Sequence, residues 1–317
     1  MTPSTLFLSH ISCVDHAFID DQGKVKGGSY HPNFLVEGKV DPLENVVADF
    51  STVKKEIKKQ LDHPCYGFDH KCWIIEGYSS IKGIKLDSQT YRLENLPPIQ
   101  ESNRGSLLCI ETESVQLELP YDSFKLIRSF DGFQPNGYSV EAAGAYFSRF
   151  LNLHFESRCM HIGCLNTESA IPFSADLHVP EFFRYTHGLP FSSSWGCQNL
   201  AHGHFSFIQT NAPQSREQVQ VIQKICNTLN HVIFIQRDNI FHEDDETIAI
   251  RYTTEVRGQF HGEFSKLDHK IIVLDTETTI EHLVHYVAVR FREDLLAIHA
   301  TQLYVSEGLS KGALVEL

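Results

Sequence analysis

The chain has 317 residues, of which 42% are hydrophobic and 11% aromatic, enough to bury one large core or two ordinary ones. With 27 basic against 40 acidic residues its formal charge is −13, which argues against a nucleic-acid binder, since phosphate neutralisation needs clustered Lys and Arg. The longest apolar runs, such as Val232-Ile233-Phe234-Ile235, fall far short of the roughly 20 residues of a bilayer span, and Met1-Thr2-Pro3-Ser4 opens no signal region. A soluble cytoplasmic protein is therefore expected, with no membrane and no nucleic-acid partner.

The first predicted element is a strand from Phe34 to Val40, which alternates apolar and polar residues. The turn Asp41-Pro42-Leu43-Glu44-Asn45 then makes a hairpin with Val46-Val47. Asp49 precedes Phe50, Val53, Ile57 and Leu61 at helical spacing, with Lys54, Lys55, Lys58 and Lys59 on the other face and Pro64 at the end. An insertion of short β-like runs at about 73–136 separates this helix from a second one over Val140 to Leu151 and a strand over Arg158 to Glu168. The second half repeats the order. Strands are predicted over Ile171 to Val179 and Ala201 to Thr210, a helix over Ser215 to Leu229, an inserted hairpin at about 231–264, a helix over Thr279 to Phe291 and a strand over Ala297 to Glu307. The boundary falls near residue 170, giving units 1–170 and 171–317. There is no Gly-rich phosphate loop, and the fold class is α+β, two antiparallel units.

Eight cysteines without repeated CxxC spacing read as free thiols. The unusual count is 18 His. In His202-Gly203-His204 the two imidazoles project from one face of a strand and can reach one ion, although chance alone supplies about one such pair in a chain this rich in His. His178 on the preceding predicted strand offers a third ligand, and three His leave the fourth zinc position open, as in a catalytic site. Cys197 lies just upstream as a base or nucleophile, or as a small buried apolar residue. Asp268-His269 offers an Asp to orient a proton-transferring His, yet Asp15-His16, Asp62-His63 and Asp69-His70 repeat the dipeptide.

In this order, Phe173-Ser174-Ala175 with His178, Cys197, His202-Gly203-His204, Leu267-Asp268-His269, Thr279-Ile280-Glu281 and a strand ending at Glu307 resemble the 6-pyruvoyl-tetrahydropterin synthase / 6-carboxytetrahydropterin synthase family. The first half is similar to a divergent copy: Ala48-Asp49-Phe50, Phe68-Asp69-His70, Ser139-Val140-Glu141 and Thr167-Glu168 match its segments, with His31-Pro32-Asn33 standing in place of His-Gly-His. The resemblance implies a tandem tunnelling fold (T-fold), each half an antiparallel four-stranded sheet backed by two helices, with homo-oligomers closing β-barrels.

It also implies a zinc-dependent lyase acting on a dihydropterin side chain, such as that of dihydroneopterin triphosphate, in queuosine- or tetrahydrobiopterin-type biosynthesis. His178, His202 and His204 would bind Zn2+, Cys197 and Asp268-His269 would move protons, and Glu307 or Glu168, with Thr279 and Glu281, would hold the pterin. No metal is expected in the first half, but Asp69 and His70 are a second candidate for the acid–base pair, completing a site composed from both halves. A non-catalytic pterin- or purine-binding protein and a structural oligomer are the alternatives.

Overall fold

The computed structural model describes residues 4–40, 47, 49–128, 140–155, 161–167 and 181–317. The predicted turn at 41–45 and the predicted strand at 171–179, and with them His178 and Glu168, lie outside the described residues.

In the first half, β1 (Ser4–Leu8) and β2 (Val14–Ile19) both pair antiparallel with the long β3 (Val25–Gly38). Helix α1 (Phe50–Leu61) follows, its first turn capped by the Asp49 carboxylate, which accepts from Thr52 N–H. Val53, Ile57 and Leu61 are buried and the lysines face out. β4 (Lys71–Ile75) runs parallel to β2. The chain then leaves the sheet as β5 (Gly83–Leu86), β6 (Gln89–Thr90), β7 (Leu107–Glu111) and β8 (Val115–Pro120), and returns as β9 (Phe124–Ile127), parallel to β4. Helix α2 (Val140–Phe155) and β10 (His161–Thr167), antiparallel to β3, complete this half.

The second half follows the same order. β11 (Glu181–His187) and β12 (His202–Thr210) pair antiparallel, α3 (Arg216–Leu229) is capped by Ser215, and β13 (Val232–Gln236) lies parallel to β11. β14 (Ile240–Glu243), β15 (Thr247–Thr254) and β16 (Gly258–Ser265) form the excursion, and β17 (Lys270–Leu274) returns parallel to β13. Helices α4 (Ile280–Arg290) and α5 (Arg292–Ala297) precede β18 (Gln302–Glu307), antiparallel to β12, and β19 (Lys311–Glu316).

The fold is mixed α/β, with several sheets and few helices. Among the described residues, each half contributes a six-stranded sheet with parallel pairs where four antiparallel strands were expected, and Val232–Gln236 belongs to the second sheet rather than to an inserted hairpin. The two excursions do not stay separate. β16 pairs with β8, fusing them into one seven-stranded sheet, which buries Ile110, Leu117 and Phe260 in one core with Ala17 and Ile74 of the first sheet and Ile235 of the second.

Hydrogen bonds put the two halves in register with each other. His70 N–H donates to Asp15 O at 2.6 Å and His231 N–H to Arg184 O at 2.7 Å, with φ of 56° and 63° at the two histidines. The Asp69 carboxylate accepts from Asp15 N–H, and the Asn230 side-chain oxygen accepts from Arg184 N–H. Asp15 thus corresponds to Arg184. The hairpin pairs Phe18–Lys26 and His187–His202 then correspond, so Lys26-Gly27-Gly28, not His31-Pro32-Asn33, matches His202-Gly203-His204. The two central glycines touch: a Cβ on Gly203 would lie 2.6 Å from Gly27 Cα, and one on Gly27 would collide with Tyr185 O and sit 2.8 Å from His204 N. Only glycine lets the two sheets cross so closely.

Candidate active site

The last residue of β11 and the first and third of β12 bring together His187, His202 and His204, all buried, with one ring nitrogen of each within 4.8 Å of the others. His187 Nδ1 donates to Thr278 O at 2.7 Å, and His202 Nδ1 donates to Asn199 O at 3.0 Å. Both Nε2 lone pairs are thereby turned inward, the usual arrangement of a metal-binding imidazole. His202 Nε2 is buried without a hydrogen-bond partner, and His187 Nε2 lies 3.1 Å from His204 Nε2. Two nitrogens on a tetrahedral zinc are about 3.3 Å apart at ordinary Zn–N lengths, so the group fits such an ion. Burial, and then the neighbouring imidazoles, push the His187 pKa down to about 3 and that of His202 well below its ordinary value, which keeps both rings neutral, as ligands must be.

Asp15, from the first half, sets an oxygen 3.3 Å from His204 Nδ1, without hydrogen-bond alignment, while accepting from Ser29 Oγ at 2.5 Å. Burial pushes the Asp15 carboxyl up, but the facing His204 and His70 rings and the hydrogen bond from Ser29 outweigh it, and the net shift is down. Glu307, at the end of β18, places one oxygen 3.9 Å from His204 Nε2 and the other 2.8 Å from Lys311 Nζ.

The rim of the cluster is formed by both halves. Cys197 Sγ lies 3.5 Å from His70 Nε2, and His70 Nδ1 donates to Asp69 at 2.6 Å. The rings of His70 and His202 are 5.2 Å apart. Burial pushes the His70 pKa down, yet the Asp69 carboxylate overrides it and raises the pKa well above 6.5. Burial likewise raises the Cys197 thiol, but the hydrogen bond and charge of His70 win and the net shift is down. Both shifts run in the direction of a thiolate–imidazolium pair.

Asn199 locks this arrangement. Its side-chain nitrogen donates to His70 O and to Ser123 O, each at 3.0 Å, and its own carbonyl accepts from His202. Arg257 steadies the loop that carries Cys197: it donates to Trp195 O at 3.1 Å, stacks on that ring at 4.0 Å and pairs with Asp122 at 3.1 Å.

Asp268 and His269 are engaged elsewhere. Asp268 pairs with Lys24 at 3.3 Å, while His269 accepts from Val25 N–H and donates to Ser265 O, so both of its ring nitrogens are committed. Thr279 caps α4 beside His282, and Glu281 is exposed in the first turn of that helix; the neighbouring Thr278 is the residue that touches His187. His187, Asn199 and Arg257 were missed in the sequence. For His187 a signal existed: Phe183, Tyr185 and His187 alternate along one strand face shortly before His202-Gly203-His204.

No known protein-family profile matches the chain, and no curated protein matches it in sequence. Among solved structures it is similar to the 6-pyruvoyl tetrahydropterin synthase of Plasmodium falciparum, with 18% identity over 44% of this chain and 94% of that one and a TM-score of 0.34. It is also similar to a catalytic-residue variant of the Plasmodium vivax enzyme, with 17% identity over 54% and 94% and a TM-score of 0.37. An uncharacterized protein from Wolinella succinogenes matches at 12% identity over 43% and 94%, with a TM-score of 0.29.

Proposed function

We propose that this chain is a zinc-dependent lyase acting on the side chain of a dihydropterin such as dihydroneopterin triphosphate. In this reading it is a tandem of two T-fold halves: the second holds the metal through His187, His202 and His204, and the first supplies the acid–base pair Asp69-His70. The carrying observation is the contact of Cys197 with His70 at the rim of the three-imidazole cluster.

Bound zinc supplies Lewis-acid polarisation of the side-chain oxygens, which lowers the barrier to enolisation. Cys197, as a thiolate, takes a proton from the side-chain carbon. The electron pair left by that deprotonation forms a C=C bond as the adjacent C–O bond breaks and triphosphate leaves, and His70, kept cationic by Asp69, protonates the resulting enol on carbon to give the ketone. Glu307, paired with Lys311 at 2.8 Å, accepts hydrogen bonds from the amino and ring N–H groups of a pterin. The position of Asp69-His70 favours this pair over Asp268-His269, whose contacts lie elsewhere. Homo-oligomers closing β-barrels, a cytoplasmic setting and a place in queuosine- or tetrahydrobiopterin-type biosynthesis complete the proposal.

The test is turnover of dihydroneopterin triphosphate by the zinc-loaded protein, followed by chromatography of the products. Cys197→Ala and His70→Ala should each lose about 100-fold or more in rate, and His269→Ala little. Saturable pterin binding without turnover would replace the lyase by a binding protein, and absence of both would leave a structural oligomer.

A further inference from the structure

The register between the halves gives the histidine cluster a counterpart on the other side of the Gly27–Gly203 crossing. There a cleft of about 370 Å³ is lined by Phe18, Lys26, Arg184 and His231, together with Asp20, Asp21 and Tyr78. Phe18 stands where the second half has His187, Lys26 where it has His202, and Gly28 where it has His204. His231 corresponds to His70, and Arg184 to Asp15. The imidazole ligands are gone, but the cleft has not been filled by larger side chains. Three positions have lost negative or gained positive charge: a carboxylate has become a guanidinium, a metal-ligand position an ammonium, and Asp69 the neutral Asn230, while Asp20 and Asp21 stand where the second half has Leu189 and Pro190.

The acidic groups here are partly committed. One Asp20 oxygen accepts from the N–H groups of Gln22 and Lys24, each at 2.9 Å, and the other pairs with Lys26 at 2.6 Å. Asp21 is exposed at the edge. Arg184 donates to Gly27 O at 3.2 Å and lies over the Phe205 ring at 4.6 Å, which fixes the guanidinium plane. His231 is held by its own N–H at a left-handed φ of 63°, and its Nδ1 is buried without a hydrogen-bond partner. Burial, followed by the charges of Lys26, Arg184 and Lys270, keeps that ring neutral, with a pKa of about 4. A buried polar nitrogen facing unmet hydrogen bonding is costly unless something supplies the partner.

We infer that this cleft is a metal-independent binding site for a small molecule carrying an oxyanion, a carboxylate or phosphate group, recognised by Lys26, Arg184 and the His231 ring. Phe18 and Tyr78 supply apolar walls for the rest of the ligand. This site stands apart from the lyase reading and requires neither the metal nor Cys197.

The experiment follows the His231 ring resonances, assigned with His231→Gln, while the full chain is titrated with inorganic phosphate and, separately, with benzoate. A saturable shift with either anion is expected. It should persist after EDTA treatment and in His202→Ala, and Lys26→Gln and Arg184→Gln should each weaken binding about tenfold or more, as loss of a charge-assisted contact does. Saturation by phosphate alone or benzoate alone identifies the group recognised. Circular dichroism of both variants checks folding, and if Arg184→Gln is unfolded, Lys26→Gln decides. Absence of saturation with both anions, or equal affinity in the folded variants, overturns the site.

Discussion

Cys197 Sγ and His70 Nε2 lie 3.5 Å apart although 127 positions separate them in the chain. The contact exists because β4 and the loop before β12 meet across the two halves, and it couples the thiol to the one imidazole that Asp69 holds cationic. In metal-free protein, His70→Ala should therefore raise the Cys197 pKa and slow alkylation of that thiol by iodoacetamide at pH 7. The expected drop is about tenfold per unit of lost thiolate stabilisation, read by mass spectrometry of the Cys197 peptide. An unchanged rate would show that His70 does not activate the thiol.

Asn199 ties His70, Ser123 and His202 together from a fully buried position. Asn199→Ala leaves two buried carbonyls without their donor, which should cost about 2–4 kcal/mol in urea unfolding. A loss below about 0.5 kcal/mol would contradict this role.

At the crossing of the sheets, Gly203→Ala places a methyl group 2.6 Å from Gly27 Cα, against backbone that cannot rotate away. Destabilisation of about 2 kcal/mol or more is expected, with zinc content falling alongside because the flanking residues His202 and His204 must move. Wild-type melting behaviour and metal content in this variant would mean the sheets are not in contact there.

His16 is buried, stacked on Trp73 with ring centroids 3.9 Å apart and on Tyr30 at 5.1 Å. Burial holds its pKa at about 3, against 6.5 when exposed. Between those values the unfolded chain binds a proton that the folded chain refuses. Stability should thus fall as the pH drops below about 6.5, by about 1.4 kcal/mol per pH unit for this group. His16→Phe should remove that part of the slope between pH 7 and pH 5. Equal slopes for the two proteins would show that His16 is not held neutral.

Much of this was legible in the sequence where pattern and burial coincide. The spacing of Val53, Ile57 and Leu61 and the Asp49 cap locate α1, and the Ser215 helix emerges the same way. β2 was missed because all six of its residues are buried, so no alternation marks it. His202, His204 and Cys197 were visible as residue types at workable spacing. The choice among the Asp-His pairs was not: Asp69-His70 and Asp268-His269 look alike in sequence, and only the crossing of the two sheets brings the first beside Cys197 and His202 and leaves the second bound to Lys24 and Val25. The fusion of the two insertions through β16 and β8 is a long-range pairing that no local pattern announces.

Whether the second half holds a metal through the imidazole on β11 is tested by elemental analysis of purified wild type, His187→Ala and His178→Ala. About one zinc per chain is expected in wild type and in His178→Ala, and well under half of that in His187→Ala. Full zinc in His187→Ala with loss in His178→Ala would contradict that expectation.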